Sequence, residues 1–541
     1  MTPALPRDTQ PFPFAHSPST KMHPDSGQTT SIWMDSASLP NYPALTDAAE
    51  CEVCIIGAGI AGLTTAYLLA LEGRRVIVID DGQIGSGETS RTTAHLSNEI
   101  DDRYVEVARV HGSEGARIAA ASHTAAIDFI EAFARDNAVD CDFARIDGYL
   151  FLSEGDTPDV LDDEHDAARS AGIAVEKVER APLASFDTGP CLRFPNQARF
   201  HPLAYLSALA EAFVEAGGRI FCGSHVSNTE SKDGIATVTI EKPEVKITAK
   251  QLVVCTNSPI HDLYAMHTKQ APYRSYVVAA HVPKGSVTDA LYWDTEDPYH
   301  YARLQLAARS KEYDVLIVGG EDHKTGQESD MQQRFANLEQ WTREHFPGIV
   351  DFPYHWSGQV MEPADLLAFI GRNPGSDNVF ICTGDSGMGM THGTMAGIII
   401  SDLIAGRENP WAALYDPSRI SINYDALKTF VKENANVGVM YTDWLRPLDG
   451  ESLDNLPCGE GTVIRRKTHP VAVYCDDNGA LHEMTAVCPH LKCIVHWNTL
   501  EKSWDCPCHG SRFDALGKVI TGPAVSSLAK VDADGKPSEG A

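Results

Sequence analysis

"CEVCIIGAGIAGLTTAYLLALEGRRVIVIDD", from Cys51 to Asp81, changes its hydrophobic period twice. A β-branched run ends in G-x-G-x-x-G at Gly57, Gly59 and Gly62; an apolar run of helical period follows, then a second β-branched run that closes on an acid. The pattern predicts strand, glycine turn, helix, strand, which is a whole βαβ unit and hence a parallel sheet. Gly57 permits the tight turn, Gly59 lets the backbone approach a pyrophosphate, and Gly62 lets the helix pack on the strand. Ile60 and Ala61 open the helix, whose N-terminal N–H groups attract phosphate charge. Asp80, eighteen residues after Gly62, is placed to accept a hydrogen bond from a ribose hydroxyl. Dinucleotide binding is the expectation, but the motif does not separate FAD from NAD. Cys51 and Cys54 form a C-x-x-C inside the predicted strand, whereas a thioredoxin-like redox pair sits at a helix start.

Outside this unit, composition sets bounds. A chain of 541 residues with 43% hydrophobic content buries a sizeable core and forms two or more domains. Forty-four basic against 74 acidic residues give a formal charge of −30, which repels phosphate backbones and anionic lipid. No nucleic-acid partner is expected. The Pro/Ser/Thr-rich start lacks the apolar run of a secretory signal, and no segment reaches the length needed to span a bilayer. Residues 1–30 read as a flexible leader on a cytoplasmic protein.

Three stretches further along separate the dinucleotides. "GSGETSRTTAHLS" (Gly85 to Ser97) follows the second strand, "RFHPLAYLSALAEAFVEAGGRIFCGSHV" (Arg199 to Val226) supplies a helix and a strand, and "NVFICTGDSGMGMTHGTMAG" (Asn378 to Gly397) is a strand, a glycine turn and a helix start. In this order they resemble the glycine oxidase and D-amino-acid oxidase superfamily of flavoenzymes, over residues 31–421. The resemblance implies FAD bound non-contiguously, with a substrate-binding sheet domain inserted between the pieces. It also implies that the backbone of Val226 touches the adenine, that Ser90, Arg91 and Thr92 lie by the flavin, and that Gly387, Met388, Gly389, Met390 and Thr391 border its pyrimidine edge. A helix starting near Met390 turns N–H groups and a positive dipole end outward, which suits the negative charge of a reduced flavin. "TSRTTAH", ending at His95, is similar to the stretch of dimethylglycine and sarcosine dehydrogenases whose histidine bonds the flavin, although Ala94 stands where they carry tryptophan.

A second chemistry lies near the end of the chain. "CPHLKCIVHWNTLEKSWDCPCHGS" packs four cysteines and three histidines into 24 residues. Cys488 and His490 form C-x-H; Cys506 and His509 form C-x-x-H after a gap of fifteen residues. By spacing alone these four ligands fit zinc or a [2Fe–2S] centre. Cys493 and Cys508 inside the two loops, with Gly522 to Ala524 soon after, resemble a Rieske domain of the high-potential type, carried by residues 450–541. That resemblance implies that Cys488 and Cys506 bind one iron and His490 and His509 the other. It further implies that Cys493 and Cys508 form a disulfide and that a proline loop covers the cluster. Ser511 keeps a hydroxyl for a cluster sulfide, Phe513 stands where high-potential members carry tyrosine, and His496 is surplus. Residues 422–449 read as a helical connector.

The expected architecture is therefore an α/β (α+β) FAD-binding Rossmann-type domain with an inserted substrate-binding sheet domain, followed by a small all-β Rieske domain. The expected function is oxidation of a small-molecule amine by hydride transfer to FAD, with electrons relayed singly through the [2Fe–2S] cluster to an acceptor protein or quinone, possible within a homo-oligomer. Two alternatives stand beside it: a flavin oxidase using oxygen directly with a structural cluster domain, and an NAD(P)H-driven reductase, which needs a second dinucleotide fold that is not found. An oxygenase needs two histidines and a carboxylate on iron; Asp297 and His300 begin that spacing and nothing completes it. Strands of the inserted domain offer Tyr276, Tyr301 and His323 as pocket residues. In amino-acid oxidases of the superfamily an arginine after a Trp-x-Gly strand clamps the substrate carboxylate; here "WSGQVMEP" (Trp356 to Pro363) has none and carries Glu362. A secondary, tertiary or polyamine is expected rather than a simple α-amino acid.

Overall fold

The computed structural model describes residues 26–538, apart from 185, 262–265, 308–309, 347, 421–422 and 446–452. Of the expected leader, residues 1–25 lie outside this set.

The strand Ala49–Ile56 pairs in parallel with Val76–Ile79 on one side and Val245–Val254 on the other, and the parallel run continues to Arg219–Phe221 and Val379–Thr383. Val53, Cys54 and Ile55 are fully buried because helices cover one face of the sheet and the antiparallel strands Val226–Lys232 and Ile235–Ile240 pack on the other. Cys51 and Cys54 share a thiol hydrogen bond within this strand. Helix Ile60–Leu71 packs against helix Gly389–Ala405 through two glycines: a Cβ on Gly397 would stand 2.5 Å from Thr64 Cγ2, and one on Gly393 2.7 Å from Ile60 Cγ2. Both helix starts are thereby brought to one end of the sheet.

The inserted domain is a nine-stranded sheet whose long strands Gln270–Pro283, Tyr313–Lys324 and Tyr354–Pro363 pair antiparallel. One face packs under helix Met331–His345 through Tyr276, Tyr292, Phe335 and Leu338; the other faces the dinucleotide domain. Helix Tyr424–Met440, capped by Asn423, fills the expected connector position. It is held to the sheet domain by an ion pair between Lys324 and Glu433 and by Gln327 on Asn436.

The C-terminal part has a three-stranded and a four-stranded antiparallel sheet, Gly461–Arg466 to Leu481–Thr485 and His496–Asn498 to Val519–Thr521. Its core is Trp504, Phe513, Val495 and the clustered cysteines. It docks on the rest through buried ions. Glu501 accepts from Arg91 Nη1 (3.3 Å), from Thr29 N (3.0 Å) and from the Ser357 hydroxyl, with both ion-pair side chains fully buried. Arg512 donates to Asp505 (3.1 Å) and to the carbonyl of Ser26 (2.6 Å). The last residues of the expected leader are therefore not free: Ser26 and Gly27 are buried between the parts. Among the described residues no helix is long and apolar enough to cross a membrane.

Candidate functional site

A cavity of about 340 Å³ opens where the parallel strands end, the place where open α/β sheets bind ligands. Gly57 has φ +104°, and a Cβ there would stand 2.3 Å from the Cys255 carbonyl oxygen. A Cβ on Gly62 would stand 1.9 Å from the Gly57 carbonyl oxygen, so the helix start rests directly on the turn. Gly59, Ile60, Ala61 and Val226 form wall, as do Gly387 (φ +69°), Met388, Gly389 and Met390 at the start of the second helix. Asp80 sits at the edge and accepts from Ala58 N (2.6 Å) and Gly82 N (2.8 Å), steadying the glycine turn. Five wall atoms are buried without a hydrogen-bond partner: Glu88 Oε1, Trp293 Nε1, Asp322 Oδ1, Gln359 Oε1 and His392 Nε2. Buried polar atoms are costly unless satisfied. With two helix N-termini converging on the cavity, these residues fit a dinucleotide.

Beyond the glycine turn the wall turns acidic. Asp101, Asp322, Glu362 and Asp385 all line it, with Tyr299, Tyr301 and Trp293. Burial, then the neighbouring Asp102 and Asp101, push Glu362 well above the ordinary carboxylate range. Burial raises Asp101 likewise, against the hydrogen bond from Tyr299. Asp322 and Asp385 are pushed up to about 6, again chiefly by burial. Among the described wall residues the sole Lys or Arg is Arg91, and its guanidinium points away, to Ser26 Oγ (2.6 Å), Thr29 Oγ1 (2.8 Å) and the Ser357 carbonyl (2.8 Å). No carboxylate clamp is present on that wall.

Sequence expectations meet this cavity unevenly. Tyr301 is on the wall, its hydroxyl 2.8 Å from Ser275 Oγ. Tyr276 and His323 are not; they bond each other (2.9 Å) on the far face of the sheet, under Phe335. Side chains alternate along a strand, so Ser275, Val277 and Asp322 face the cavity and the residues between them cannot. Thr92 and Arg91 contribute wall, whereas Ser90 and Thr391 lie behind it, their hydroxyls bonded to the Gly87 and Met388 carbonyls. His95 lines the cavity with Nδ1 3.0 Å from Thr93 Oγ1 and Nε2 3.3 Å from the Ala302 carbonyl. Burial and Arg303 lower it to about 3, so it is neutral. Sequence reading missed Asp101, Asp322, Asp385 and Tyr299. Asp322 is one position from His323, and Asp101 sits in a helix approach without periodicity.

The second site joins two loops of the C-terminal part. The thiols of Cys488 and Cys506 share a hydrogen bond, and the rings of His490 and His509 stand 5.1 Å apart at 88°. His509 Nδ1 is buried without a partner; burial, with His490 and His267 nearby, lowers this imidazole to about 3, the neutral form that ligates metal. A disulfide between Cys493 and Cys508 ties the loops. Two thiols, two imidazoles and an orphaned nitrogen fit an iron–sulfur centre. Ser511 Oγ accepts from Ala524 N (3.0 Å), Phe513 is fully buried, and His496 bridges the Gly326 carbonyl (2.6 Å) and Asp443 (3.1 Å).

The two sites abut. Gln359, on the cavity wall, donates Nε2 to the carbonyl of Gly510 beside the cluster ligands (3.0 Å), and His267 of the larger part lies 4.8 Å from the His490 ring.

A dinucleotide cavity walled against a two-thiol, two-imidazole site defines a flavin and iron–sulfur oxidoreductase. The chain belongs to the FAD dependent oxidoreductase family, whose model matches residues 52–403, and carries a Rieske [2Fe-2S] domain at residues 451–532. FAD and a [2Fe–2S] cluster are its cofactors. It is 33% identical to the putative Rieske 2Fe-2S iron-sulfur protein YhfW of Bacillus subtilis, over 93% of this chain and 97% of that one. To the gamma-glutamylputrescine oxidoreductase of Escherichia coli it is 21% identical, over 70% of this chain and 89% of the relative. Among solved structures, glycine oxidase from Geobacillus kaustophilus superposes with a TM-score of 0.57 at 16% identity, over 69% of this chain and 99% of that one.

Proposed function

We propose that the protein oxidises the C–N bond of a cationic amine and passes the electrons singly to an external one-electron acceptor, a protein or a quinone. The observation that carries this reading is the make-up of the cavity wall, carboxylates on one side and the cluster-bearing domain on another. When bound, FAD takes the hydride and the Rieske cluster moves electrons one at a time. Glu362 and Asp101 are held neutral by burial until a cation enters, so an ammonium is favoured over a carboxylate by the charge it meets. Asp322 and Asp385, near 6, are bases better matched to neutral pH than an ordinary carboxylate, and suit removal of the ammonium proton that must leave before hydride transfer. The aromatic faces of Tyr299 and Tyr301, 5.2 Å apart, flank the same space and suit an alkylammonium. The name of the Escherichia coli relative carries a putrescine derivative, in keeping with a substrate of this kind.

Anaerobic mixing with a panel of amines, amino acids, NADH and NADPH tests the substrate side through bleaching of the flavin band; amines should bleach it, while glycine, D-amino acids and the nicotinamides should not. His490→Cys or His509→Cys tests the relay. These variants should still bleach with amine at near the parental rate yet fail to reduce a one-electron acceptor in steady state. Normal turnover with oxygen and peroxide release would assign the cluster a structural role instead.

A further inference from the structure

The FAD cavity is not built by the flavin domain alone. Val519 to Gly522, Ala524 and Val525, all in the C-terminal Rieske domain, form wall of the same cavity as the glycine turn. They stand across from Ser224, His225 and Val226. His225 Nε2 lies 2.8 Å from the Val525 carbonyl, and its Nδ1 lies 3.3 Å from Asp81 Oδ2, so one imidazole spans from the end of the second parallel strand to the Rieske loop. Gly522 comes so close to the flavin domain that a Cβ on it would stand 3.0 Å from Ile260 Cγ2. On its other side the loop is fixed from the cluster, through Ala524 N on Ser511 Oγ (3.0 Å).

From this geometry we propose that the Rieske loop Val519–Val525 is part of the FAD site, closing over its adenosine end, so that FAD leaves only when the two domains part. The end is assigned by its own residues: Asp80 and Asp81 follow the second parallel strand, where an acid meets the ribose, and both line this side of the cavity. Val226 from the flavin domain and Val525 from the Rieske loop both line this part of the cavity and offer apolar surface for an adenine ring, with Thr521 in the same wall. FAD in turn links the domains, because a ligand that touches both favours their docked state. None of this depends on the identity of the amine or of the acceptor.

Hydrogen exchange on the full chain, with its cluster in place, compares FAD-loaded with FAD-stripped protein. Amides of the glycine turn (57–62) and of the Rieske loop (519–525) should both slow by about tenfold or more with FAD. Slowing in the glycine turn with an unchanged Rieske loop overturns the proposal. Glu501→Ala supplies a second readout, since Glu501 forms no part of the cavity wall but holds the Rieske domain in place. Its FAD should be released about tenfold faster on dilution, followed by recovery of free-FAD fluorescence. If limited proteolysis shows the domains parted in this variant while FAD release stays within about twofold of the parent, the proposal fails; if the domains stay docked, the exchange comparison alone decides.

Discussion

Glu501→Gln removes one charge from the centre of the domain junction while keeping its shape. The carboxylate is fully buried between Arg91, Thr29 and Ser357. Burial alone would push Glu501 up, but Arg91, Arg274 and Arg512, together with the Ser357 hydroxyl, hold it down at about 2, against an ordinary 4.5. At 1.36 kcal/mol per pKa unit this difference is worth about 3 kcal/mol. A second route gives the same scale: stripping one partner from a buried ion group costs about 3–5 kcal/mol, because the opposite charges stay buried. Here three guanidinium groups would remain with Asp505, which already serves Arg512. Urea denaturation at pH 7, followed by tryptophan fluorescence, should show Glu501→Gln less stable by about 3 kcal/mol. The folded pKa is depressed, so the contribution is present above 4.5 and is lost as pH falls from there through about 2. Parent protein should therefore lose stability across that window more steeply than the variant does. A variant within about 1 kcal/mol of the parent at pH 7, or identical acid profiles, would refute the reasoning.

Three further outcomes follow from the cavity. Gly62→Ala puts a Cβ 1.9 Å from the Gly57 carbonyl oxygen; the variant should purify with its cluster spectrum but without FAD, and a full flavin band would show that the turn can shift. Because Asp322 and Asp385 are raised to about 6, their charge appears as pH rises through that value; kcat/KM for an amine should climb between about pH 5 and 7, and a flat profile removes them from substrate handling. Both His95 nitrogens already face partners, so acid precipitation should leave a colourless pellet and a yellow supernatant; a yellow pellet would mean a covalent flavin.

The glycine turn, the two helix starts and the two-loop cysteine and histidine site could be read from sequence because each depends on local spacing. Gly57, Gly59 and Gly62 act through the backbone of one turn, and Cys488, His490, Cys506 and His509 through two loops of a single small domain. The acidic wall of the cavity depended on parity instead. Tyr276 and His323 lie one residue from Ser275 and Asp322, and in a strand that step exchanges the two faces of the sheet. Neither β-propensity nor composition says which face of a long antiparallel strand meets a cavity when both are buried, as they are here.

The junction was the least legible part, for a different reason. Residues 26–30 carry no apolar run, so hydropathy reads them with the leader before them. They are fixed by charge instead: the Ser26 carbonyl accepts from Arg512, and Thr29 bonds both Arg91 and Glu501, which stand 410 positions apart in sequence. A segment held by buried ions contributes little to any periodicity, because what holds it is attraction and hydrogen bonding to charges supplied by other parts of the chain. Once docked, those charges leave the Rieske loop no slack: Glu501 and the Gly522 turn belong to the same small domain, and they meet the flavin domain at two separate places. Two anchor points fix the orientation of a small domain far better than one, which is what a cluster set against a flavin cavity needs.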